Sequence, residues 1–150
     1  MVPFARPLAL STLAVRWLHL LAATVVVGGS LTTWLVLSAD HDTDRVGVVA
    51  VARRYEWLFW AAVGTLVMTG VGNLGAFAPT LPGGRWGATL DAKLGVFVLV
   101  LGGSALRTTF LSRLEAEPTA GVRRRLRRAY AATAAGFLVL LALAAVLAHG

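Results

Sequence analysis

Four long apolar stretches dominate the chain: Trp17 to Leu37, Trp57 to Phe77, Leu90 to Leu111 and Tyr130 to Ala148. Each holds about 20 residues and can cross a hydrocarbon core about 30 Å thick at about 1.5 Å per residue. Lipid offers no partners to backbone N–H and C=O groups, so a span outside a closed barrel must be helical. No strict alternation of polar and apolar positions suggests a barrel. The pattern therefore predicts an all-α integral membrane protein, a four-transmembrane-helix bundle with short connections, forming one domain over residues 1–150.

Composition agrees. With 57% hydrophobic and only 14% charged residues among 150, and a mean hydropathy of +0.74, the chain is too apolar for a soluble domain of this size. It has no cysteine, which removes disulfides, thiolate metal sites and iron–sulfur clusters from consideration. Arg6 before an apolar stretch resembles the start of a signal peptide, but Arg16 interrupts that stretch. The run that follows has the length of a span and exceeds a signal core, so a span is expected there.

The net charge of +7 reports topology. Ser38 to Arg54 forms the first connection, with Asp40, Asp42 and Asp44; Ala78 to Thr89 forms the second, with Pro79, Pro82, Gly83 and Gly84 and Thr89 as an expected N-cap. The third passes Pro118 and runs into Arg123, Arg124, Arg125, Arg127 and Arg128. Adding Arg45, Arg53, Arg54, Arg107 and Arg113 puts ten of the 14 cations on one side, against Arg6, Arg16, Arg85 and Lys93 on the other. By the positive-inside rule both termini are expected outside and the arginine cluster in the cytoplasm, with the plasma (inner) membrane as location. No aromatic and basic platform accompanies the charge, so no nucleic-acid partner is expected. Lipid is the expected partner, with a homo-oligomer or membrane-complex partner left open.

Ionisable residues inside spans are functional candidates because insertion charges several kcal/mol for them. On the cytoplasmic side Glu56 opens the second run and Arg107 lies near the end of the third, which predicts a structural ion pair between helices. On the outer side His19, Asn73, Lys93 and His149 fall in one layer near span ends. His41, about 33 Å from His19 if joined by continuous helix, cannot share a ligand with it. Ala22, Ala23, Val26 and Ser30 follow His19 on its own face, a small-residue stripe that predicts close packing, as do Gly28, Gly29 and Thr32. Thr65, Thr69 and Asn73 form a polar stripe on the second helix, with Met68 beside it. Lys93 near a helix N-terminus opposes the macrodipole and invites an anionic partner such as a haem propionate. The five tryptophans mark span ends and serve as interfacial anchors.

The stretch Arg16-Trp-Leu-His-Leu-Leu-Ala-Ala-Thr-Val-Val-Val-Gly-Gly29, then Arg54 to Gly70 ending Met-Thr-Gly, then Ala92-Lys93-Leu94 and an arginine-rich segment before the last span, resembles the membrane domain of copper-resistance protein D. It is similar, more distantly, to the J-type protoporphyrinogen oxidase, another four-helix haem-associated membrane protein. The first resemblance implies copper uptake, export or homeostasis; the second implies b-type haem and porphyrin oxidation. Carried over by position, the histidine is His19 and the helix-3 lysine is Lys93.

Three expectations follow. A copper-handling protein would use His19, Met68 and His149 as metal ligands, since Cu(I) takes thioether and imidazole donors. A b-type haem redox protein or oxidase would use His19 as axial ligand, with Lys93 and Asn73 lining the cofactor. A non-catalytic membrane subunit or assembly factor would use His19 only for packing. Copper and haem b thus remain alternatives, and no residue is assigned a catalytic role.

Overall fold

The computed structural model describes residues 7–39, 45–75, 83–116 and 120–149; the side chains of Asn73, His149 and several residues near helix ends lie outside that description, as does His41. The described residues form four helices: α1 (Pro7–Ser38), α2 (Arg45–Gly75), α3 (Gly84–Ala116) and α4 (Ala120–His149). All four are longer than the apolar runs. Between 30 and 33 residues each makes them about 45–50 Å long, enough to cross the core and enter the headgroup region.

The extra length has a physical cause. The flanking segment Arg123 to Arg128 is built from arginine and leucine, which sustain a helix once the apolar part has nucleated it. The basic stretch is thus a helical turn of α4, where the sequence pattern suggested a loop. Thr89 is likewise inside α3; its hydroxyl donates to the Arg85 carbonyl one turn back at 2.9 Å, so it is not an N-cap. Gly84 begins α3 with φ of +65°, a left-handed conformation that glycine adopts without a Cβ penalty. Pro7 stands at the first position of α1, where its missing N–H leaves no helical bond unmade.

The helices form an up-and-down weave in which α1 packs against α2 and α4, and α3 against α4. The backbones of α2 and α3 scarcely touch, so their seam is held by side chains. At one end Trp86 Nε1 donates to the Leu147 carbonyl at 3.3 Å, tying the start of α3 to the end of α4. At the other, Arg123 Nη2 donates to the Ala39 carbonyl at 2.8 Å, tying α4 to the end of α1.

Among the described residues three helices are long and apolar enough to cross a membrane: Leu10–Ser38, Gly84–Arg113 and Gly121–Ala148. Large apolar side chains, among them Trp17, Trp57, Leu99 and Val146, cover the outside. Such a surface belongs against lipid, because in water it would associate.

Inside, Ala22, Ala23, Val26 and Ser30 are buried on α1, as a close-packing stripe requires. A Cβ on Gly29 would run into the Tyr55 ring, so that glycine admits the tyrosine between α1 and α2. Gly28 and Thr32 face outward and take no part, because at about 100° per residue they fall on the opposite side of the helix from that face.

Candidate functional site

His19 lies well inside α1, twelve residues beyond Pro7, and its half-buried ring faces α2. Nδ1 stands 2.7 Å from Thr69 Oγ1. Thr69 Oγ1 in turn donates to the Thr65 carbonyl at 2.6 Å, with a longer 3.3 Å approach to the Leu66 carbonyl. The neighbouring Gly70 lies beside the ring: a Cβ there would meet His19 Cε1 at 3.8 Å, an ordinary contact. Lys93 is half-buried on α3.

The other expected members of this layer fare differently. Met68 is 79% exposed on α2. It adjoins Thr69 in sequence, and successive helical residues point about 100° apart, so Met68 turns to the outer surface while Thr69 meets His19. Thr65 spends its hydroxyl on the Ala61 carbonyl at 3.0 Å and acts on the site through its backbone. Asn73 occurs one turn beyond Thr69 on α2, with its side chain outside the described residues. His149 ends α4 level with the start of α3, because Leu147 bonds Trp86. Lys93 is seven residues further along α3, about 10 Å along the axis. Among the described residues no three His, Cys, Asp or Glu groups converge as a metal cluster.

The second polar cluster is larger and fully enclosed. Arg107 is 0% exposed, and its Nε and Nη2 donate to Glu56 Oε1 and Oε2 at 2.8 and 3.2 Å. Tyr130 from α4 donates to Oε1 at 2.7 Å, and Thr108 approaches Oε2 at 2.9 Å. The carboxylate therefore has a partner on every side, as a buried charge needs. The guanidinium is stacked between rings, with Cζ 4.1 Å from the Phe59 centroid and 4.5 Å from that of Tyr130. Trp60 Nε1 donates to Thr108 Oγ1 at 3.2 Å, adding another bridge between α2 and α3.

The expected Glu56–Arg107 pair is therefore present, but deeper than span ends would place it: Glu56 is eleven residues into α2 and Arg107 nine before the end of α3. Beside it Tyr55 donates to the Val26 carbonyl at 2.8 Å and so accepts from Ser30 Oγ at 2.8 Å. The tyrosines, Phe59 and Thr108 were not singled out from the sequence, and Ser30 entered only as a small residue on the His19 face. The available signal was the adjacency Tyr55-Glu56 with Phe59 one turn on, which puts aromatic rings beside a buried carboxylate.

Among the described residues, an all-helical bundle with a lipid-facing apolar exterior, a buried charge pair and a half-buried imidazole about 20 Å from it along α2 defines a multi-pass membrane protein. The family model of copper resistance protein D matches residues 49–147, and the chain belongs to that family. The match takes in most of α2, all of α3 and nearly all of α4, with Glu56, Thr69, Lys93, Arg107 and Tyr130; His19 precedes it. No curated protein and no solved structure matches the chain significantly.

Proposed function

We propose that this protein handles copper, by uptake, export or buffering, through an intramembrane site on its outer side in which His19 is the protein ligand. The observation that supports this reading is the placement of His19, half-buried between α1 and α2 and hydrogen-bonded to Thr69, in a chain of the copper resistance protein D family. Copper is the substrate in this reading. Cu(I) takes imidazole donors and is satisfied by few ligands. In the same reading α2 also crosses the bilayer, both termini lie outside the plasma membrane and the α4 arginines face the cytoplasm.

The test is Cu(I) competition between detergent-purified protein and a chromogenic chelator, with cellular copper measured in parallel. Wild type competes, and His19→Ala loses the competition and alters cellular copper. Wild type that fails to compete, together with unchanged copper in the variant, overturns the proposal.

The half-buried placement of His19 on α1 and Lys93 on α3 favours one further reading, a b-type haem site. One imidazole and one cation match an axial ligand and a propionate partner, so His19 would hold the iron and Lys93 the propionate. Haem would supply electron transfer. The visible spectrum separates the two: a Soret band that disappears in His19→Ala belongs to the haem reading alone.

A further inference from the structure

We infer that Thr69 is a positioning residue that fixes His19 with its hydrogen on Nδ1 and presents the lone pair of Nε2 as the ligand atom. The consequence for metal binding rests on the copper reading above; the protonation of the ring does not.

The argument is a count of hydrogens. A threonine hydroxyl has one, and a backbone carbonyl can only accept. Thr69 Oγ1 lies 2.6 Å from the Thr65 carbonyl, so its hydrogen is committed there, in the usual bond back along a helix. The same oxygen is 2.7 Å from His19 Nδ1, a separation that requires one hydrogen between the two atoms. With the hydroxyl hydrogen spent, that hydrogen belongs to Nδ1. A neutral imidazole has one N–H, so Nε2 carries the lone pair.

This is the arrangement by which partners outside the ligand set orient metal-binding histidines: one nitrogen donates to a fixed acceptor and the other faces the metal. Here the fixed acceptor is itself anchored on backbone, so the chain Thr65 carbonyl, Thr69 hydroxyl, His19 ring has a single direction. The side chain of Thr65 has no part in it, because its own hydroxyl goes to Ala61.

The experiment uses the full chain labelled with 15N-histidine in lipid vesicles at about pH 8, above the ordinary imidazole range. His19 resonances are assigned by their loss in His19→Gln. Wild type should show a protonated-type Nδ1 and an unprotonated-type Nε2, and added Cu(I) should perturb Nε2. Thr69→Ser and Thr65→Ala keep this pattern; Thr69→Val loses it and weakens Cu(I) competition by about 10–100-fold. A wild-type ring protonated on Nε2, or a Thr69→Val ring unchanged from wild type, overturns the inference. The wild-type spectrum decides even if Thr69→Val does not fold. The expected protonation without Cu(I) binding upholds the positioning role and defeats the copper reading.

Discussion

Replacing Arg107 by methionine should strongly destabilise this bundle. Arg107 is wholly buried and supplies two of the hydrogen bonds that reach Glu56, at 2.8 and 3.2 Å. Methionine keeps much of the volume and the contact with Phe59 and Tyr130, so the loss is mainly electrostatic. Glu56 would keep Tyr130 and Thr108 as donors but lose its counter-charge. Breaking a buried pair in this way typically costs about 3–5 kcal/mol. For a chain of this length, about 2–4 °C per kcal/mol translates that into a fall in Tm of about 6–20 °C.

The companion change is the pair Glu56→Gln with Arg107→Met. Removing both charges leaves no uncompensated ion, so the double variant should recover most of what Arg107→Met loses. The assay is thermal unfolding in detergent by circular dichroism, on wild type, the two single variants and the double. If Arg107→Met shifts Tm by less than about 2 °C, or if the losses of the two single variants simply add, the ion pair is not what holds α2 to α3.

Other outcomes follow from the same geometry. Tyr130→Phe keeps the ion pair but removes a hydrogen bond to a charged group, which should cost about 1.5–3 kcal/mol in the same melt. Gly29→Val drives a side chain into the Tyr55 ring and should cost about 1–3 kcal/mol, whereas Gly28→Ala, facing open space, should be close to neutral. The chain has no cysteine, so single cysteines report topology directly. With the proposed orientation, Arg124→Cys reacts with an impermeant thiol reagent only after permeabilisation, while a cysteine appended after Gly150 reacts in intact spheroplasts; the reverse pattern refutes it.

Three of the four expected spans were legible because lipid imposes length and apolarity on any crossing helix, and the ion pair because a buried charge needs a partner. Helix ends were not legible: Arg123 to Arg128 is polar enough to suggest a loop yet helix-forming enough to continue α4. Around the pair, Tyr130 sat at the start of an apolar run, where tyrosine ordinarily marks an interface. Only the longer helix, which continues well before Tyr130, carries its hydroxyl into the centre. At His19 the polar stripe containing Thr69 was visible, but its angular phase was not, and phase decides that Thr69 meets the ring while Met68 faces outward.

The two polar clusters are separate devices on one scaffold. Thr69 and Glu56 are thirteen residues apart on α2, about 20 Å along the axis. The lower cluster joins α2 to α3 and α4 through Glu56, while the upper one joins α1 to α2 through His19. Because they share no partner and lie far beyond the 7–10 Å within which substitutions usually couple, Thr69→Val and Arg107→Met should have additive effects on the unfolding free energy, within about 0.5 kcal/mol. Additivity would make the ion pair a fixed support and leave His19 free to be tuned for its ligand. Coupling well beyond that margin would mean that α2 moves as one lever between the clusters, and the seam between α2 and α3 would then belong to the working part of the protein.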